Sequence, residues 1–254
     1  MAFETNKRAW SGTATRGVDQ AVMDQGLRAY MLRVYNYMAS GLALTGIMAV
    51  VIAQMSMVVN DAGQLVGLTE TGQFLFASGF KWVVMLAPLA FVLVLSFGLH
   101  RMSFFTAQMT FWAFAAVMGV SLATIFIQFT GASVARVFFI TSGTFAAMSL
   151  YGYTTKRDLS GMGSFLFMGL IGIIIASIVN MFMQSSALHF AISVIGVLVF
   201  VGLTAYDTQN IKNEYSEHHD EETTGKLAIT GALRLYLDFI NLFIMLMQLL
   251  GQRR

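Results

Sequence analysis

Two aspartates stand where an apolar chain tolerates them least: Asp207 closes one uncharged run and Asp238 lies inside the last one. An ionised aspartate at the centre of a membrane helix costs about 2.5–3.5 kcal/mol on insertion scales, so each carboxyl there needs a partner, a proton or a watered path. Asp207 sits in Leu203-Thr-Ala-Tyr-Asp-Thr-Gln-Asn-Ile-Lys212, near the boundary of its segment. Asp238 sits in Leu235-Tyr-Leu-Asp-Phe-Ile-Asn-Leu-Phe243, about two turns into the final segment, with apolar neighbours on both sides. On consecutive antiparallel helices the two would lie at similar depth, and a direct pair is geometrically easy. Two carboxylates in contact at low dielectric cannot both ionise, so such a pair shares one proton and titrates as a unit. A plainer alternative stays open. Arg234 precedes Asp238 by four residues, the spacing of an ion pair on one helix face, and Asp207 would then be an end-of-helix residue facing water.

The elements that must hold these residues are membrane helices. Of 254 residues 57% are hydrophobic and 11% charged, with one proline and a mean hydropathy of +0.69, whereas soluble domains run at about 25% charged. The stretches Val34 to Asn60, Trp82 to Leu99, Met102 to Ala135, Val137 to Thr155 and Leu159 to Tyr206 contain no Lys, Arg, Asp or Glu. Most are long enough to span a bilayer, and the longest must cross twice. The pattern predicts an all-α polytopic membrane protein with seven helices at 34–55, 82–100, 104–128, 136–155, 162–183, 188–207 and 230–250. Six spans plus a re-entrant piece is the competing count. Residues 1–33 read as a tail followed by a short interfacial helix, and residues 34–254 as one seven-helix domain. Nothing in residues 1–33 has the early apolar core of a cleavable signal peptide.

Charge placement reports orientation. With the N-terminus in the cytoplasm, 11 Lys and Arg fall on that side and 4 on the other, which favours N-in. Arg253 and Arg254 fit that scheme poorly, and a re-entrant last segment would change the count to 13 against 2. The net charge of +2 is spread over short loops, so no nucleic-acid partner is expected. The chain has no cysteine, which removes disulfides, thiolate nucleophiles and cysteine-based metal sites, and no bound cofactor is expected.

Other polar residues carry weaker signals. Asn180 and Asn241 would either line a polar path or make helix-to-helix hydrogen bonds. Glu214, Glu217, His218, His219, Asp220, Glu221 and Glu222 lack the spacing of an EF-hand or a zinc helix and read as a solvated loop. His189 reads as interfacial, without an evident partner. Gly41, Gly46, Gly169, Gly172, Gly196 and Gly202 are placed for close helix packing or for none, and no repeat of fixed period is present.

The motif Tyr151-Gly-Tyr-Thr-Thr-Lys-Arg-Asp-Leu-Ser-Gly-Met-Gly163, the Leu203–Lys212 stretch and the Tyr-Leu-Asp-Phe-Ile-Asn-Leu-Phe run around Asp238 resemble the bacterial branch of the Bax inhibitor-1 (transmembrane Bax inhibitor motif) family. The resemblance covers nearly the whole chain from the first span onward and is most specific in the C-terminal half. It implies seven helices with the last one central to the other six, in a bacterial inner membrane, and a pH-sensitive calcium leak. The family's paired aspartate sensor matches Asp207 and Asp238. Its latching arginine at the end of the second helix matches Arg101, with His100 beside it as the other candidate. Carboxylate oxygens are the ligands Ca2+ prefers, and two are too few for a tight site, which suits weak, transient passage. Calcium and protons are then the partners besides the bilayer. Two other classes compete. One is a non-conducting membrane regulator of stress, protease or cell-death pathways. The other is an intramembrane aspartyl protease, which this chain opposes by lacking Gly-x-Gly-Asp at Asp238 and any Pro-Ala-Leu, its one proline being Pro88.

Overall fold

The computed structural model describes residues 5–60 and 65–254, with side chains from residue 25 onward except that of His100. Seven long helices account for nearly all of them: α1 Thr5–Ser56, α2 Lys81–Gly98, α3 Phe104–Gln128, α4 Gly131–Thr154, α5 Ser160–Met183, α6 Ser186–Glu214 and α7 Glu221–Leu250. All seven are long and apolar enough to cross a bilayer. A short antiparallel hairpin, β1 Met57–Val59 with β2 Leu65–Leu68, and a helical stretch Glu70–Ala77 join α1 to α2.

The helices end where capping chemistry begins. Ser103, Ser185 and Asp220 stand at the N-caps of α3, α6 and α7, each accepting a backbone N–H three residues on. Asp220 starts α7 nine residues before the expected 230, and α6 continues seven residues past the expected 207. Apolarity marks only the part of a helix that lipid or protein covers, and the charged first and last turns extend beyond it. Asp207 is therefore two turns inside its helix rather than at its end. α1 likewise runs unbroken from Thr5, so the expected interfacial helix continues directly into the first span. Residues 1–4 of the expected tail lie outside the described residues.

α3 packs against both α1 and α2, α6 packs against both α4 and α5, and α7 lies between these two three-helix layers, touching α1, α3, α4 and α6. Close approach is set by glycine at two points. Gly152 of α4 faces the Ala205 carbonyl oxygen of α6, and Gly119 of α3 faces the backbone at Thr45 of α1, so a side chain at either would hold the helices apart. Of the glycines singled out in the sequence, Gly41, Gly169, Gly196 and Gly202 touch neighbouring side chains, while Gly46 and Gly172 face open space.

Several polar groups are paired across helices. Pro88 in α2 lacks the N–H that would serve the Val84 carbonyl, and Ser121 Oγ of α3 donates to that carbonyl instead. Thr45 Oγ1 bonds the Ala115 carbonyl at 2.8 Å and the Tyr236 hydroxyl at 2.6 Å, tying α1 to α3 and α7. The last residues return to the α3–α4 turn: Thr130 N donates to Gln252 O (3.0 Å), Gln252 N to Ser133 Oγ (2.8 Å) and Arg254 N to Gln128 O (3.0 Å). α7 thus crosses once, and the chain ends at the face opposite the α6–α7 turn. Arg253 and Arg254 lie with the hairpin and the α3–α4 turn, not with the α2–α3 and α4–α5 turns.

Candidate functional site

α6 and α7 are antiparallel neighbours, and their register is fixed by contacts of Ile211 with Gly231 and of Met245 with Gly196. In that register Asp207 and Asp238 come within about one turn of each other, and their carboxyls lie within side-chain hydrogen-bonding reach. Asp238 is 5% exposed. Its Oδ2 is buried and receives no N–H or O–H from the described residues. A bare carboxylate can only accept, so a donor for this oxygen has to come from a protonated carboxyl or from a group other than the described residues.

Arg234, one turn before Asp238, is close enough to act electrostatically on both aspartates. Its direct ion pair is with another residue. Nη1 donates to Glu214 Oε1 at 2.6 Å, so the i,i+4 Arg234–Asp238 ion pair weighed from the sequence gives way to a link between helices. Glu214 was expected in a solvated loop and instead forms the last turn of α6, seven residues and about two turns after Asp207 on the same side. That spacing was the signal available in the sequence. Glu214 Oε2 and the Tyr30 hydroxyl of α1 are two further buried atoms without a partner among the described residues. Beside the pair, Thr208 begins a hydroxyl chain that sequence patterns do not reveal: Thr208 to Ser149 of α4 at 3.0 Å, and Ser149 to Tyr35 of α1 at 2.6 Å.

A cavity of about 480 Å³ opens onto the pair, lined among others by Ser164, Tyr206, Asp207, Arg234, Asp238 and Asn241. Leu170, Phe200, Leu237 and Asn241 also line a larger crevice of about 980 Å³ that runs toward the opposite face between α2 and α5. Asn241 turns its amide donor onto the Leu237 carbonyl of its own helix at 2.9 Å and lines both spaces. Arg101 is placed elsewhere: it is exposed in the short 3-10 turn Leu99–Arg101 after α2 and does not line the cavity. The side chain of His100 lies outside the described residues. Asn180 is at the far end, where its Oδ1 accepts Ser185 N–H at 3.0 Å across the α5–α6 turn, beside Gln184 at φ 51°. His189 does have a partner, Gln248 Oε1 at 3.0 Å.

The residues of the acidic run are used singly. Asp220 caps α7, Glu222 pairs with Lys226 at 2.8 Å and Glu221 lies 3.7 Å from Arg33. Among the described residues no group of three or more acidic, His or Cys side chains is placed to hold a metal ion. The two aspartates alone offer carboxylate oxygens in the cavity.

The profile of the family described as "Inhibitor of apoptosis-promoting Bax1" matches residues 27–254, which takes in the site, most of the apolar part of α1 and all of α2 to α7. The chain belongs to the Bax inhibitor-1 family. Among relatives, a protein of Rickettsia prowazekii is 47% identical over 96% of this chain and 98% of its own length. The inner membrane protein YbhL of Escherichia coli K12 is 48% identical over 90% of this chain and 94% of its own length. A membrane protein of Streptococcus pyogenes serotype M3 is 32% identical over 90% and 95%. This Bax inhibitor-1 chain is an all-α integral membrane protein whose last helix is central to the other six, and the aspartate of that helix faces one on its neighbour.

Proposed function

We propose that the chain is a proton-sensitive leak pathway for calcium across a bacterial inner membrane, with Asp207 and Asp238 as its gate and its N-terminal face in the cytoplasm. One observation carries the reading: a buried carboxyl on the central helix lies within hydrogen-bonding reach of a second, in a cavity that shares wall residues with a crevice leading toward the opposite face. A pair that holds one proton can lose it or gain another, and each change alters the force between α6 and α7. Arg234 supplies the positive charge in the same cavity and divides its attraction between the pair and Glu214. Arg101, at the same end of the bundle, is the candidate latch for a second arrangement of the helices. Two carboxylates coordinate Ca2+ weakly, which a leak requires. The name of YbhL supports the inner-membrane location, and the positive-inside count supports the orientation. We read the pair as a gate rather than an acid/base dyad of a protease, because Asp238 follows Leu235-Tyr-Leu and no Gly-x-Gly-Asp precedes it.

The test is calcium flux into liposomes titrated against pH for wild type, Asp207→Asn, Asp238→Asn and the double variant. Wild type should conduct with a pH dependence that each single change removes as fully as the double. A flux no greater than that of empty liposomes would sink the leak and leave a non-conducting regulator. A conducting double variant with an unchanged pH profile would sink the gate.

A further inference from the structure

The two layers meet α7 but part from each other along two seams, and the larger opening is the crevice of about 980 Å³ between α2 and α5. Its α2 wall runs from Lys81 to Val92. At 1.5 Å per residue that is about 16 Å, the hydrocarbon depth of one leaflet in a bilayer core of about 30 Å. Below the mouth the wall is Met85, Leu89, Ile174 and Ile178 with little polar surface, and the floor is α7 at Leu237, Asn241 and Met245. Lys81 is the only charged residue of the lining. It makes no ion pair among the described residues, and its ammonium lies 5.6 Å from the centre of the Trp82 ring. Lysine and tryptophan together at the end of a spanning helix mark headgroup level. A cation with no carboxylate partner among the described residues, set at the mouth of a leaflet-deep apolar slot, complements a phosphate carrying a hydrocarbon chain.

We propose that this crevice binds one anionic glycerophospholipid from the leaflet on the hairpin face. Its phosphate sits on the Lys81 ammonium beside Trp82, and one acyl chain follows α2 and α5 inward to Leu237 and Asn241. The volume lies within the range of about 300–1,000 Å³ over which proteins bury small ligands. The chain end reaches the residues that also line the aspartate cavity, so the lipid closes that cavity toward the crevice. Binding is read without any flux measurement and stands or falls separately from the calcium leak.

The experiment is native mass spectrometry of the full-length protein, stripped of lipid in mild detergent and titrated with phosphatidylglycerol or phosphatidylcholine. Wild type should hold one phosphatidylglycerol, several-fold tighter than phosphatidylcholine. Lys81→Ala should weaken phosphatidylglycerol about five-fold, the effect of one basic residue at a membrane surface. Ser177→Phe, which pushes a ring into the slot from the α5 wall, should abolish retention of both lipids at an unchanged unfolding temperature. Leu150→Trp in the opposite seam should leave binding intact. Equal binding by wild type and Ser177→Phe overturns the crevice as the site, even if Lys81→Ala weakens binding. Loss of binding in Leu150→Trp alone moves the lipid to the other seam and equally overturns it.

Discussion

Replacing Gly152 by alanine probes the contact on which the aspartate site rests. A β-carbon at Gly152 would point into the Ala205 carbonyl of α6, with the carbonyl carbon and Cα each 2.9 Å away, where ordinary van der Waals contact begins at 3.4 Å. Both positions are backbone, so no rotamer change relieves the clash, and α4 and α6 must part by about 0.5–1 Å, forfeiting a quarter to a half of the local dispersion energy. Overpacking of this kind costs about 1–3 kcal/mol. The Ser149–Thr208 bond, 3.0 Å long and one turn from Gly152, stretches with it, and its loss adds about 0.5–1.5 kcal/mol. The gain in helix propensity, about 1 kcal/mol for Gly to Ala, offsets part. The net loss is about 0.5–3.5 kcal/mol, or a fall of roughly 1–14 °C in unfolding temperature for a chain of this size. Gly143→Ala is the matched control on the same helix, because nothing lies within 4 Å of its β-carbon position. It should gain up to about 1 kcal/mol and rise by about 2–4 °C. Thermal unfolding of both variants in detergent decides the matter. A Gly152→Ala protein as stable as Gly143→Ala would refute the helix contact and the register built on it.

Three further outcomes are expected. The Arg234–Glu214 ion pair, at 2.6 Å but with side chains 39% and 31% exposed, should show a coupling of about 1 kcal/mol in a double-mutant cycle of Arg234→Gln and Glu214→Gln, since solvent screens it; a coupling under about 0.3 kcal/mol would remove Glu214 as the partner that holds Arg234. The chain contains no cysteine, so Asn241→Cys should react with a small cationic thiol reagent while Ile240→Cys, at a position 5% exposed, should not; equal rates would mean that no open space reaches Asn241. The Thr223 hydroxyl and then the Thr223 N–H, both at the start of α7, hold the Asp220 carboxyl below the usual carboxylate range. A depressed folded value contributes stability above the ordinary value of about 3.9 that is lost as pH falls through the folded one. Hydrogen exchange in the first turn of α7 should therefore quicken in acid for wild type and be fast at every pH for Asp220→Ala; identical exchange would show that the cap does not hold that turn.

The spans were legible because lipid and a protein interior both demand uncharged runs, and such runs are visible in composition; the central place of the last helix came from the family resemblance, not from the pattern of the runs. The ends of the spans were less legible. Glu221, Glu222 and Lys226 look like loop to a hydropathy window, yet Asp220 caps them into the first turns of α7. The aspartates could be found as charges inside apolar segments, and their approach follows from antiparallel neighbours. The partner of Arg234 could not be chosen in the same way. An i,i+4 carboxyl and one across the interface are both available, and only the register of α6 on α7 decides between them. The hydroxyl chain Tyr35–Ser149–Thr208 joins three helices 59 or more residues apart in sequence, and nothing local marks it.

The two layers share one pairing pattern, third helix against first and second, although no sequence repeat accompanies it. Each layer has three spans, so the second enters the membrane from the face at which the first leaves it. Four of these six helices pack closely on α7, and the other two, α2 and α5, border the larger crevice. This arrangement explains why a carboxyl on α7 differs from one anywhere else in the chain. A carboxyl on an outer helix can reach headgroups or water by turning its side chain outward. Asp238 has protein on every side except the cavity it shares with Asp207, so its charge can be met only by a proton, by the guanidinium of Arg234 or by a cation in that cavity. These three compete for the same oxygens. A change in one must therefore be felt by the other two, and if the proposed calcium leak holds, its coupling to the proton is expected at that carboxyl.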